Sequence, residues 1–317
     1  MNATPLNPHT PLIGSSISVS PRAKLNLRLK IIGRRQNGFH ELSMLNAEIS
    51  LCDDILITFE QEPGVRIELR GDSGDLVLSD PSQNLAARAA QAFLERSAID
   101  SGARLSLAKR IPIGAGLGGG SSDAAAVLRA LNEKAGSLAL SQEQLLEIAQ
   151  TLGADVSYFL LGGLCAVSGI GENLLPLSGE AISGAIVFLF VPKLPISTPQ
   201  LYSFYRSRFP NLQRSVDGAM QGLKRGDSLS YEDMLQLVEN DFEQVLEDFA
   251  PSIAEQIKLV RGVRGLKVAL TGSGSAFFAL PSSKAGSSGD SLAHLEDLMR
   301  PSGTKVLALR LLPADLS

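Results

Sequence analysis

The chain is poor in the residues that metal and redox chemistry need. Cysteine occurs twice, as Cys52 and Cys165, and never as CxxC. Its three histidines, His9, His40 and His294, stand far apart. These counts argue against a zinc site, and no metal held by the protein alone is expected. Two lone cysteines suit a reducing cytosol. No apolar run reaches the ~18 residues of a membrane span. The most apolar strip, AISGAIVFLFVP at 181–192, is too short for one. Its β-branched and aromatic residues predict a buried strand. The first twenty residues lack a basic segment followed by an apolar one, and they lack arginine. Neither a secretory signal nor a transit peptide is expected, which predicts a cytoplasmic protein with no membrane partner. Net charge is −4 with no basic run, so no nucleic-acid partner is expected. An anionic ligand must then be held by local charge and backbone. There is no internal repeat, and oligomeric state is not readable.

What is present suits a globular protein. The 317 residues are enough for two ordinary domains or one large one, and 44% are apolar against 20% charged. Residues 20–42 open with strict alternation. Leu25, Leu27, Leu29 and Ile31 point one way, and Lys24, Asn26, Arg28 and Lys30 the other. Asn37-Gly38 signals a hairpin turn. Strands are predicted at 53–60, 65–70 and 103–112, and a helix at 82–98 with Ser82 as N-cap. Further helices are predicted from about 121 to 136 and over 141–152, then strands near 164–170 and 185–191. Helices follow near 199–207, 231–249 and 251–261. The end reads strand, loop, strand over 266–280, helix over 291–300 and strand over 305–312. Residues 284–291 suggest a mobile surface loop. A strand-rich first half and a helix-rich second half predict two α+β lobes, 1–165 and 166–317.

The most informative stretch is IPIGAGLGGGSSDAAAVLRALN, 111–132. A flexible linker does not fit, because the glycines sit between a strand and a helix with unbroken apolar spacing. Gly114, Gly116 and Gly119 match G-x-G-x-x-G, yet a dinucleotide fold needs a second parallel strand soon after the helix, and another helix follows instead. A Walker A loop is excluded because no lysine follows the last glycine. A different phosphate loop remains. Gly118, Gly119 and Gly120 have no Cβ, so a polyphosphate can lie against the backbone. The helix N-terminus offers N–H groups and partial positive charge. Ser121 and Ser122 add hydroxyl donors or a metal ligand, unless one of them is only an N-cap. Lys109 and Arg110 bring positive charge.

PIGAGLGGGSSDAA resembles the ATP-binding loop of the GHMP kinases. The longer GLGGGSS form is similar to one branch, the 4-diphosphocytidyl-2-C-methyl-D-erythritol kinases of non-mevalonate isoprenoid synthesis. PRAKLNLRLKIIGRRQNGFHEL resembles that branch's N-terminal signature, and LTGSGSAFFAL the glycine-rich third motif of the superfamily. The segments stand in the expected order, and the likeness runs over nearly the whole chain. It implies a two-lobed fold with a ribosomal-protein-S5-like N-terminal lobe and a ferredoxin-like C-terminal lobe. It also implies ATP as phosphoryl donor, Mg²⁺ with the nucleotide, and a cytidine-diphosphate substrate phosphorylated on its 2-hydroxyl.

Phosphoryl transfer to an alcohol needs an oriented hydroxyl, a place for its proton, and positive charge around the moving group. Asp155, by itself, reads as the N-cap of a short helix at 156–160. The resemblance makes it the general base of an LGADVP-like segment, with Ser157 in place of proline. Lys24 reads as a solvated strand lysine, whereas the resemblance sets it beside the catalytic aspartate. Asn26, on the same strand face, becomes a contact for the substrate hydroxyl. The resemblance gives Pro112, Ile113, Gly114, Ala115, Gly116, Leu117, Gly118, Gly119, Gly120, Ser121 and Ser122 to ATP, with Asn84 and Lys109 as further nucleotide contacts. It gives Phe39, His40 and Tyr202 to the cytosine, Phe39 standing where many members have tyrosine. Thr198, Gly272 and Gly274 complete the substrate side.

Overall fold

The computed structural model describes residues 13–36, 38–70, 76–77, 80–214, 218, 220–284 and 289–313. In chain order its strands are β1 (Ser16–Val19), β2 (Arg22–Arg34), β3 (His40–Cys52), β4 (Asp54–Glu60), β5 (Gly64–Arg70), β6 (Leu76–Val77), β7 (Gly102–Ala108), β8 (Cys165–Gly169), β9 (Asn173–Pro176), β10 (Ile186–Val191), β11 (Glu239–Asn240), β12 (Leu266–Leu270), β13 (Phe277–Pro281) and β14 (Lys305–Leu312). Its α-helices are α1 (Leu85–Ser97), α2 (Gly119–Lys134), α3 (Gln142–Leu152), α4 (Ala154–Leu161), α5 (Thr198–Arg208), α6 (Tyr231–Leu237), α7 (Glu243–Phe249), α8 (Pro251–Arg261) and α9 (Gly289–Met299). The mixture is α+β, and the chain gathers into two compact units, neither of them one continuous stretch.

The first unit takes the chain up to Pro21, then Cys52–Ile111 and Gly119–Leu160. Its sheet runs β1-β4-β7-β5-β6, with β4 antiparallel and β5 parallel to β7. Alternation in β4 buries Ile55, Ile57 and Phe59, while β7 buries Leu105 and Leu107. Helices α1 and α2 pack together, and each buries small residues, among them Ala86, Ala89 and Ala90 on one and Ala124, Ala126 and Ala130 on the other. Alanine lets two helices approach closely at little side-chain entropy cost.

Two helix starts differ from expectation here. Ser82 is not the N-cap of α1. It lies in a 3-10 turn, Pro81–Gln83, and Asn84 caps α1 by accepting from the N–H groups of Ala86 and Ala87. Asp155 is not an N-cap either. Helix α4 begins one residue earlier, so the carboxylate lies in its first turn, where the helix dipole favours negative charge.

The second unit takes Arg22–Leu51, Pro112–Gly118 and the chain from Leu161. Its sheet runs β11-β2-β3-β14-β10-β13-β12, and β8 and β9 extend from β3. Strand β2 buries both of its faces. Leu25, Leu27, Leu29 and Ile31 are at most 3% exposed, worth roughly 1.5–3 kcal/mol each on burial. The expected solvated face is buried too, with Lys24 at 4%, Asn26 at 1% and Arg28 at 3%.

The helix expected over 231–249 is broken. After α6, residues Glu239–Asn240 pair with β2 as β11, and α7 begins at Glu243. The break is held by side chains. Asn240 Oδ1 accepts from the Phe242 N–H and Asp241 Oδ2 from the Ile31 N–H. Residues 285–288 of the stretch expected to be a surface loop, residues 1–12 of the N-terminal reading, and Asn37 of the hairpin turn lie outside the described residues.

Candidate active site

Strand β2 has one edge that β11 covers only at Arg28 and Leu29. Loops complete it. The Lys24 N–H donates to Leu117 O at 3.0 Å, and the Asn26 N–H to Thr271 Oγ1 at 3.0 Å. One strand is thereby laced to two glycine-rich segments, the Pro112–Gly118 loop and the turn between β12 and β13 that carries Gly272 and Gly274. These segments also meet each other, since the Ala276 N–H donates to Ala115 O at 3.3 Å. The meeting requires glycine at position 116. Its φ is +81°, and a Cβ there would stand 2.5 Å from Thr271 O.

Side chains of the same unit pair as follows. Lys24 Nζ donates to Asn26 Oδ1 at 2.5 Å. Thr198, the first residue of α5, shares a 2.6 Å hydrogen bond with Ser273 between their hydroxyl oxygens. His40 opens β3 and faces Tyr202, ring centroids 4.9 Å apart. Tyr202 in turn meets Phe242 edge-on at 4.7 Å. Burial, aided by the charges of Arg206 and Arg34, holds the His40 imidazole below its ordinary 6.5. A neutral ring has one donor and one acceptor nitrogen. Phe39 is 60% exposed.

The first unit carries the other expected residues. Helix α2 starts at Gly119, two residues before the expected start, so its first-turn N–H groups are those of Gly119, Gly120, Ser121 and Ser122. A Cβ at Gly119 would meet Ile111 Cγ2 at 2.9 Å and Lys109 Nζ at 3.2 Å. Glycine is thus needed there for the protein's own packing as well as for space. Lys109 bridges two carboxylates. Its ammonium binds Asp53 and, at 2.8 Å, Asp123 Oδ2. Asp53, fully buried, also accepts from the backbone N–H groups of Arg110 and Ile111 at 2.5 and 2.8 Å. This cluster fixes the exit of β7 toward the glycine loop. Burial, with a smaller contribution from the nearby Asp53 carboxylate, pushes Asp123 up to about 7, against the opposing pull of Lys109. Asn84 Oδ1 caps α1, and Asp155 is half-buried in α4.

The GHMP kinases N terminal domain model matches residues 84–163. A 4-diphosphocytidyl-2-C-methyl-D-erythritol kinase of Geobacter sp. (strain M21) is 38% identical over 81% of this chain and 87% of its own. The chain belongs to that kinase family. The Prochlorococcus marinus (strain AS9601) member is 36% identical over 83% of this chain and 85% of its own. A solved structure of 4-(cytidine 5'-diphospho)-2C-methyl-D-erythritol kinase is 34% identical, with a TM-score of 0.65 over 93% of this chain and 99% of that one. Homoserine kinase from Cytophaga hutchinsonii, 19% identical, superposes with a TM-score of 0.68 over 94% of this chain and 95% of its own, which shows the shared fold. This family member is therefore an α+β GHMP kinase, a phosphotransferase. Among the described residues no helix is long and apolar enough to cross a membrane.

Asp53, Asp123, Asn46 and Thr271 had no place in the sequence reading. Asp123 precedes three alanines on a buried helix face, and Asn46 lies between Leu45 and Ala47. A polar residue inside such a pattern is the signal for these two.

Proposed function

We propose that the chain transfers the γ-phosphoryl group of ATP to the 2-hydroxyl of 4-diphosphocytidyl-2-C-methyl-D-erythritol, a cytosolic step of non-mevalonate isoprenoid synthesis. The observation that carries this reading is the lacing of the Lys24 strand to both glycine-rich segments. A buried cation and an amide oxygen sit where the three motif segments meet. The kinship to kinases named for this substrate supports the choice of acceptor.

In this reading the N–H groups at the start of α2 and the Pro112–Gly118 loop hold the phosphates. Asp155 takes the hydroxyl proton. Lys24 keeps charge balanced at the transferring group, and Asn26 accepts from the hydroxyl. Phe39 and Tyr202 flank the cytosine, and neutral His40 reads its edge. Among the described residues no three acidic, histidine or cysteine side chains gather as metal ligands. Mg²⁺ would be held mainly by phosphates and water with few protein oxygens. Ser121 has the right donor chemistry, and the ion would neutralise phosphate charge there.

A panel of acceptors tests the reading. With ATP, the cytidine substrate should give the highest kcat/KM. The uridine analogue should fall about 10- to 100-fold behind, the effect of one base-edge hydrogen bond worth roughly 1–3 kcal/mol. Preference for homoserine or mevalonate would overturn it.

A further inference from the structure

An ammonium group has three N–H donors and no acceptor. The Asn26 amide must therefore turn its oxygen to Lys24, as it does at 2.5 Å. The rest of a buried chain follows. The Asn26 nitrogen faces away and donates to Asn46 Oδ1 at 2.7 Å and to Met44 Sδ at 3.5 Å. Both of its N–H groups are spent, so Asn26 can offer a ligand only its oxygen. Asn46 must present its own oxygen to Asn26, which leaves its Nδ2 pointing on. That nitrogen is buried and has no hydrogen-bond partner.

Asn46 is fully buried in β3, paired in register with Cys165 of β8. The Cys165 thiol is pushed up to about 12 by burial, so it stays neutral. A buried amide with an unmade donor opposes folding. Its compensation lies one hydrogen bond from Lys24. Rules of local consistency tend to break at sites that serve function.

We propose that Asn46 is a positioning residue for phosphoryl transfer. It locks the Asn26 amide with its oxygen toward Lys24, so the acceptor hydroxyl meets an ammonium and a carbonyl oxygen at fixed places. Without the Asn46 oxygen the amide keeps its contact to Lys24, but its nitrogen end loses its main hold, so the carbonyl oxygen is no longer fixed from both sides. This rests on the reading that Lys24 and Asn26 serve the transfer site.

The test compares Asn46→Leu, Asn46→Asp and Lys24→Met by single-turnover transfer, KM for ATP and thermal melting. Asn46→Leu should slow transfer about tenfold or more, the scale of a small misplacement. KM for ATP should hold. The melting temperature should not drop, because one unmet donor replaces another. Asn46→Asp keeps the acceptor for Asn26, so its rate should recover most of that loss. Transfer at the native rate in Asn46→Leu overturns the proposal. So does a loss of rate that follows a loss of melting temperature with no recovery in Asn46→Asp. A fast Lys24→Met variant overturns it together with the reading beneath it. A slow Lys24→Met beside a normal Asn46→Leu overturns it alone.

Discussion

The backbone N–H of Lys24 donates to the carbonyl of Leu117 at 3.0 Å. The strand that carries the buried cation and the loop that carries the glycines are thus one hydrogen-bonded piece. Disturbing the loop should therefore disturb the cation, and the first prediction follows from that coupling.

Gly116→Ala should be worse than Gly114→Ala. Both glycines have positive φ, +81° and +71°, which costs an alanine roughly 1–2 kcal/mol. At Gly114 a Cβ meets nothing within 4 Å, whereas at Gly116 it stands 2.5 Å from Thr271 O. Thermal melting should rank the two variants in that order, and only Gly116→Ala should also lose transfer rate at saturating ATP.

Lys109→Met should destabilise the fold by about 3–5 kcal/mol, because it strands two buried carboxylates without their cation. Urea titration measures it. A loss within about 0.5 kcal/mol, the range of ordinary surface substitutions, would show that Lys109 is not a structural bridge.

Asp123 predicts a pH effect of definite sign. Its folded value, about 7, lies above the unfolded carboxylate range. The native state then holds a proton that the unfolded chain has released. This contribution to stability is full below about pH 4 and is lost as pH rises through 7. Asp123→Asn should remove that fall, so the variant should gain on the native protein as pH rises from about 4 to about 7. A constant difference across that window would contradict the assignment.

His40 predicts a second pH effect. Its imidazole is held below 6.5 by burial first, so lowering the pH through its titration should raise KM for the cytidine substrate and leave KM for ATP unchanged. The same profile in a His40→Gln variant would remove His40 from base recognition.

Strand β2 shows how far the sequence could be read. Alternation identified it and placed Lys24 and Asn26 on one face. Alternation says nothing about what covers that face, and here it is buried by sheet neighbours and loops distant in sequence. The 231–249 region failed for a related reason. Its local spacing favours helix, yet pairing with β2 and the side-chain hydrogen bonds of Asn240 and Asp241 break it at Asn240. The glycine loop was legible because backbone demands leave a mark in composition. The Lys109 bridge was not, because Asp53 and Asp123 lie 56 and 14 residues away in sequence, and only the fold unites them.

Asp155→Asn and Lys24→Met should each lower the single-turnover rate by about two to four decades, the range for a positioned acid–base group. ATP binding should change little, and the double variant should be scarcely worse than either single one.

The decisive observation is the product itself. Native protein, ATP and 4-diphosphocytidyl-2-C-methyl-D-erythritol are incubated and followed by phosphorus NMR. One new phosphomonoester signal should grow in step with ADP, coupled to no carbon-bound proton because the 2-carbon carries none, while the diphosphate signals persist. ADP formed with only inorganic phosphate, or a phosphomonoester coupled to carbon-bound protons, would contradict the assigned reaction.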